Sequence, residues 1–129
     1  LQNKLVDDAL RIAGVFKIKL DFSHDSIKKV DSILDMIEMD YTSTKNTEGL
    51  DGIALQFAAY IITVIEKQFD KGEWKRDDPE FGKNTFPYVW HGKILYPFIW
   101  CKKRIEAGKQ ESIWSKYQSL VLKNTHSRA

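Results

Sequence analysis

The segment from Phe86 to Trp100 constrains the fold more than any other part of the chain, because six of its fifteen residues are aromatic. Alternation with a period of two predicts a β-strand that carries three of these rings on one face: Phe86, Tyr88 and Trp90. The opposite face of the same hairpin is then expected to carry Val89, Ile94 and Tyr96. His91-Gly92 lies between the two halves, and its composition is typical of a two-residue hairpin turn.

A hairpin that is apolar on both faces is either covered on both sides or used as a contact surface. Burial is the favoured interpretation, because Trp and Tyr commonly bury their rings while their polar atoms reach a partner. The alternative is a surface that recognises another protein, where the same two residue types are preferred anchors. The sequence leaves both open.

Helical periodicity accounts for most of the remaining chain. Apolar residues recur at helical spacing from Leu50 to Phe69 and cover most sides of the predicted helix, so this helix is expected to be central. Shorter helices are predicted over 1–13, from an N-cap at Ser23 to Met39, over 99–107 and over 111–122, with a polar loop over 40–49. The predicted fold is α+β, with about five helices around the long helix (about 50–70) and a small antiparallel aromatic hairpin or meander (about 74–97).

Length and composition fit one globular domain over 1–122, followed by a polar tail over 123–129 that we expect to be frayed. The net charge of +2 comes from mixed charges, so no preference for nucleic acid is expected. The longest apolar run, Phe57–Ile65, is far shorter than a membrane span. We expect a small soluble domain, with cytoplasmic localisation favoured by the single cysteine, although a removed leader would change that.

Residues with catalytic or metal-binding chemistry are sparse. His24, His91, His126 and Cys101 have no metal-ligand spacing, and neither a phosphate-binding glycine loop nor a Gly-x-Ser-x-Gly motif is present. Cys101 precedes three cations, which would favour the thiolate, but no histidine is predictably placed as its base. We therefore expect a structural cysteine, no metal, no cofactor and no enzymatic activity.

Asp77, Asp78 and Glu80 form an acidic cluster ahead of the aromatic segment. A solvated turn is the favoured interpretation, because adjacent aspartates point apart in an extended chain and make poor joint ligands. The alternative is a contact surface for a basic partner.

Three stretches resemble a pattern found in small uncharacterised bacterial proteins of this length, and together they span most of 20–108. They are Leu20-Asp21-Phe22-Ser23 with Ser26-Ile27 and Val30-Asp31; Phe57–Ile61 through Val64-Ile65 to Gly72-Glu73-Trp74; and Tyr96-Pro97-Phe98 with Lys103–Gly108. The pattern has a Gly-Glu pair where this chain has Ile62-Thr63, so a role for that carboxylate does not carry over. The resemblance implies a fold. By analogy with immunity proteins of bacterial toxins, it also implies action by binding.

The leading hypothesis is a non-enzymatic protein-binding domain, most specifically an immunity or antitoxin-like protein that neutralises a basic toxin or nuclease. The predicted contact residues are Tyr88, Trp90, His91, Tyr96, Asp77, Asp78 and Glu80. A second hypothesis is a ligand-binding or enzymatic pocket between the long helix and the hairpin, with Tyr60, Thr63 and Glu66 as its polar groups. A third is a structural domain that self-associates through the hairpin, so the oligomeric state stays open.

Overall fold

The structure, a computed structural model, describes residues 2–44 and 49–123. It contains five helices and a three-stranded antiparallel sheet, which confirms the predicted α+β class. The elements in chain order are α1 (Gln2–Val15), α2 (Ser26–Thr44), α3 (Leu50–Gln68), β1 (Glu73–Trp74), β2 (Tyr88–Trp90), β3 (Lys93–Leu95), α4 (Pro97–Ala107), a 3₁₀ turn (Lys109–Glu111) and α5 (Ile113–Tyr117), which continues as a π-helical segment (Gln118–Leu122).

Helix α3 is the centre of the molecule, as its all-round apolar sequence predicted. It packs against both α1 and α4, while α2 packs against α4 and α5. A helix that is apolar on most sides requires neighbours on most sides, and this arrangement supplies them. Its fully buried side chains include Phe57, Tyr60, Ile61, Ile62 and Ile65.

Helix α2 begins as predicted but ends later. The Ser23 hydroxyl accepts a hydrogen bond from the Ser26 backbone N–H at 3.2 Å, which satisfies a donor at the start of the helix. The helix was expected to end at Met39, but it continues to Thr44. Thr42 Oγ1 donates to Glu38 one turn earlier at 2.8 Å, so this polar segment supports its own helical turn. The remainder of the predicted loop, 45–48, lies outside the described residues.

The sheet is a meander in the order β1-β2-β3. The predicted turn at His91-Gly92 is confirmed, since both residues have positive φ, +50° and +74°, as a type I′ turn requires. In this register Glu73 lies opposite Val89 and Val89 opposite Ile94, and these three residues share the outer face. The inner face, which packs on the helices, carries Trp74, Tyr88 and Leu95.

The C-terminal third differs from prediction at two points. Pro97 was expected only to end a strand, but it occupies the first turn of α4, where its missing N–H costs no hydrogen bond. The helix predicted over 111–122 is present over 113–122, but it changes from α to π after Tyr117, and a 3₁₀ turn precedes it. Ser112 caps α5 by accepting the Ser115 N–H at 3.2 Å. Helix α4 ends at Gly108, which has a φ of +90°.

One hydrophobic cluster takes side chains from all five helices and from the inner face of the sheet. Within residues 2–44 and 49–123, no helix is both long and apolar enough to cross a membrane. The tail that we expected to be frayed, 123–129, lies outside the described residues apart from Lys123.

Candidate functional site

Two of the predicted contact residues, Tyr88 and Trp90, lie in the core. Tyr88 is completely buried and Trp90 is 1% exposed. The Tyr88 hydroxyl accepts the Gly72 N–H at 2.7 Å, and burial raises the pKa of Tyr88 to about 12. The Trp90 indole donates to Asp70 at 2.9 Å. The structure therefore corrects their assignment as surface contacts, because packing against the helices removes both rings from any exposed face.

The acidic cluster also differs from a free acidic patch, because Asp78 is only 4% exposed. One carboxylate oxygen accepts the backbone N–H groups of Glu80 and Phe81 at 2.7 and 3.0 Å, and the other accepts the Tyr96 hydroxyl at 2.7 Å. The Tyr96 hydrogen bond, followed by that from Phe81, lowers the pKa of Asp78. Asp78 thus joins the loop backbone to Tyr96, and its assignment as a partner contact is corrected.

Tyr96 is the other half of this hydrogen bond. Its hydroxyl donates to Asp78, and that interaction raises the pKa of Tyr96 to about 12. The ring remains partly exposed. Tyr96 therefore keeps an accessible ring while its polar atom is occupied, which fits a residue at a contact surface.

The loop over 77–85 is built by further internal hydrogen bonds. Asp78 and Gly82 exchange backbone hydrogen bonds at 2.9 and 3.0 Å, which closes the loop into a tight turn. Asp77 accepts the Asn84 N–H at 2.8 Å, and Thr85 Oγ1 accepts the Asp78 N–H at 2.9 Å. The loop is therefore an ordered structure held by its own polar groups.

Phe81 lies at the tip of this loop and is 67% exposed. Its ring meets the Tyr96 ring edge-on, with the centroids 6.2 Å apart. Phe81 is not among the site residues predicted from the sequence. The available signal was an aromatic side chain between Glu80 and Gly82, inside a segment otherwise composed of turn residues.

The outer face of the sheet also exposes apolar side chains. Val89 and Ile94 lie directly opposite each other on β2 and β3, and Ile94 is 50% exposed. Tyr96 lies just beyond the end of β3, two residues after Ile94, and its ring contacts Phe81. We call this set the outer apolar surface: Phe81, Val89, Ile94 and Tyr96.

His91 is an accessible turn residue, but it belongs to the other side of the hairpin. Its ring stacks on Trp90 with centroids 4.0 Å apart, and Nε2 lies 2.7 Å from an Asp70 carboxylate oxygen. Asp70 therefore accepts from the Trp90 indole and also engages the imidazole. These contacts close the end of the core beside the hairpin turn.

The three residues predicted for a ligand pocket do not all converge on one site. Tyr60 is completely buried, donates to Ser26 Oγ at 2.8 Å, and has its pKa raised by burial. Thr63 and Glu66 instead both accept from the Gln2 side chain, at 2.9 and 3.1 Å. Tyr60 therefore joins α3 to the start of α2, while Thr63 and Glu66 join α3 to α1. The structure corrects the prediction that these three groups share a pocket.

The part of the chain that the structure describes has no group of three or more His, Cys, Asp or Glu side chains placed to hold a metal ion. Cys101 is completely buried, and burial raises the pKa of its thiol. The described residues therefore show neither a metal cluster nor an accessible thiol.

No protein-family model, curated protein or solved structure matches this chain. The resemblance to small bacterial proteins, and the immunity-like action that it implies, therefore stay predictions.

Proposed function

We propose that this chain is a non-catalytic protein-binding domain that contacts its partner through the outer apolar surface. The observation that carries the proposal is Phe81, an aromatic side chain 67% exposed at the tip of an internally hydrogen-bonded loop. Single exposed apolar residues are common on the surfaces of folded proteins. Here, however, the exposed ring contacts Tyr96, which follows the end of β3 two residues after the half-exposed Ile94.

Order in the loop supports a recognition role. Holding a side chain in one geometry costs free energy when a complex forms, and a loop that is already ordered has met most of that cost before binding. The Asp78 carboxylate orders the loop because it accepts hydrogen bonds from two backbone N–H groups and from the Tyr96 hydroxyl. Phe81 is thereby presented as a pre-positioned anchor, the type of residue that dominates interface energies.

The surroundings of the outer apolar surface have the mixed polarity of an interface rim. Glu73 lies beside Val89 on the sheet, with Lys75 3.9 Å from the Glu73 carboxylate. Glu80 and Lys83 flank Phe81 along the loop. Charges of both signs around an apolar centre are typical of protein–protein contacts.

The finer version of the proposal is the immunity or antitoxin-like class that the resemblance implies. In that case the exposed Glu80, Asp77 and Glu73 would contact a basic toxin or nuclease. Asp78 would not, since its carboxylate already accepts the Tyr96 hydroxyl. The test is whether an isolated partner has a toxic or nuclease activity that stoichiometric addition of this chain abolishes. A partner whose activity is unchanged in the complex contradicts this finer class and leaves the binding function in place.

The binding proposal is tested by quantitative affinity capture with matched variants. Tagged wild-type chain, Phe81→Ser and Ile94→Ser are each used on lysate from the source organism, and co-eluting proteins are quantified by mass spectrometry. The control is Met39→Ser, which alters a side chain that is 63% exposed on α2, away from the sheet. All three substitutions are expected to leave stability within about 0.5 kcal/mol, because they remove exposed groups.

We expect a stoichiometric partner whose recovery falls at least about tenfold with Phe81→Ser, as for loss of an aromatic anchor. The Met39→Ser control should retain the wild-type recovery. Equal recovery with Phe81→Ser, Ile94→Ser and the control would contradict the proposal.

A second copy of the chain is the other candidate partner, as the self-association hypothesis states. The observation in its favour is that β3 is an edge strand and carries Ile94 with half of its surface exposed. Light scattering on the same variants distinguishes the two cases. A dimer that Ile94→Ser converts to a monomer supports self-association, and a monomeric wild-type chain excludes it at the concentration measured.

A further inference from the structure

A cavity of about 430 Å³ lies where α1, α3 and β1 meet, on the inner side of the sheet. Its apolar walls are four side chains that are only partly buried: Leu5, Leu55, Trp74 and Phe86. Lys75 and Arg76 complete the lining. Cavities of this size that are mostly apolar and carry a few polar groups are the usual form of small-ligand sites.

The aromatic walls are held in place. The Trp74 indole N–H donates to the Phe86 carbonyl oxygen at 3.1 Å, and the two rings lie 6.4 Å apart. Because the indole N–H is already paired, Trp74 presents ring surface to the cavity. The indole N–H of Trp74 is thus paired within the wall, and the wall itself is apolar.

A second cavity of about 460 Å³ adjoins the first, because Leu55 and Phe86 line both. It adds two cations, Lys83 and Lys102, and one carboxylate, Asp51, which pairs with Lys102 at 3.4 Å. Among the residues that the structure describes, no ion pair engages Arg76 or Lys83. The apolar cavity therefore has an excess of positive charge at its rim.

Arg76 is oriented by the neighbouring loop. Its Nε donates to the Asn84 side chain at 3.2 Å, while Asn84 itself lines the second cavity. A guanidinium carries five donors, so this bond leaves others for an anion. Arginine is also the side chain best suited to a two-pronged hydrogen bond with a carboxylate.

We propose that this paired cavity binds a small anionic amphiphile, specifically a free carboxylate with an apolar chain. The apolar chain occupies the cavity walled by Leu55, Trp74 and Phe86. The carboxylate lies at the rim with Arg76 and Lys83. The apolar walls of this site differ from the outer apolar surface, although Lys75 and Lys83 lie beside both.

The charge pattern sets the selectivity. An uncharged ligand of the same length gains the apolar contacts but not the charge-assisted hydrogen bond, which is worth roughly tenfold in affinity or more. A cationic ligand of that length also meets repulsion from Arg76 and Lys83. The expected order of affinity is carboxylate, then alcohol, then quaternary ammonium.

The experiment uses the wild-type chain labelled with ¹⁵N and titrated with decanoate below its critical micelle concentration. The Trp74 indole N–H resonance reports on the cavity, because that group bonds to Phe86 in the wall. The Trp114 indole lies on α5 and serves as the internal control. Decanol and decyltrimethylammonium are titrated in parallel, so the charge requirement is tested without any substitution.

We expect saturable shifts at Trp74 with decanoate, weaker binding of decanol by about tenfold, and no saturable binding of the ammonium compound. Arg76→Glu should abolish decanoate binding, whereas Arg11→Glu makes the same charge change at a position exposed on α1 and should leave it unchanged. No saturable Trp74 shift, equal responses to the three compounds, or equal binding by the two variants would overturn the proposal.

Discussion

Replacing Asp31 should destabilise the chain more than any exposed charge, because its carboxylate joins three elements. One oxygen accepts from Arg104 Nε at 3.1 Å and from the Ile113 N–H at 2.8 Å. The other accepts from Ser112 Oγ at 3.0 Å and from the Trp114 N–H at 2.7 Å. A side chain of α2 thus binds a buried cation of α4 and the first N–H groups of α5.

The magnitude follows from what Asp31→Ala leaves behind. The Arg104 side chain is 4% exposed, and removing one partner of a buried ion pair costs about 3–5 kcal/mol. Arg104 keeps a second carboxylate, Asp35, at 3.0 Å, which places that cost at the lower end. Loss of the acceptor for the α5 N–H groups adds about 1 kcal/mol. We therefore expect a loss of about 4 kcal/mol, a large part of the stability of a domain of this size.

The assay is urea unfolding followed by circular dichroism, with Asp25→Ala as the matched control. Asp25 is also an aspartate of this helix region, but its side chain is 81% exposed and pairs with Lys28 at 3.5 Å. Its loss should cost under about 0.5 kcal/mol. In thermal unfolding, the same loss should lower the Tm of Asp31→Ala by roughly 15 °C. If Asp31→Ala and Asp25→Ala were equally stable, the argument that Asp31 fastens α4 and α5 to α2 would be refuted.

Three further predictions follow from buried groups. Gly72→Ala should cost about 2 kcal/mol in urea unfolding, because its Cβ would overlap the Val89 carbonyl oxygen and lie 2.8 Å from the Tyr88 ring. Gly52 lies on α3 with open space around it, so Gly52→Ala should raise the free energy of unfolding by about 0.5–1 kcal/mol. Equal effects of the two substitutions would contradict the close packing around Gly72. Cys101 should not react with a thiol reagent until the chain unfolds, and rapid native labelling would show that the thiol is accessible. Burial raises the pKa of Tyr88 from 10.0 to about 12, so the stability that it contributes is complete below pH 10 and falls as pH rises through 10–12. Absorbance titration should show tyrosine ionisation delayed relative to the chain in denaturant, and coincident curves would contradict this.

Much of the fold was predictable because its signals are local. The all-round apolar sequence of Leu50–Gln68 indicated a central helix, and His91-Gly92 indicated the turn that joins β2 to β3. The end of α2 was missed for a local reason as well. Thr42 and its neighbours are poor helix formers on average, but the bond from Thr42 to Glu38 supports the last turn.

The site was less predictable because its contacts join distant positions. Asp78 and Tyr96 are 18 residues apart, so composition gave no sign that the carboxylate is used internally. The same applies to Tyr60, whose hydroxyl meets Ser26 34 residues away. Aromatic density correctly indicated an unusual hairpin, but it did not distinguish the inner rings, Tyr88 and Trp90, from the exposed Phe81 of the preceding loop.

The most direct test of the central claim, that the outer apolar surface binds a protein, is site-specific photo-crosslinking in the source organism. A photoreactive phenylalanine analogue is introduced at Phe81 or Ile94, and at Met39 on α2 as the matched exposed position. We expect one discrete cross-linked product from positions 81 and 94, and none from position 39. No discrete product from 81 and 94, or the same product from all three positions, would contradict it.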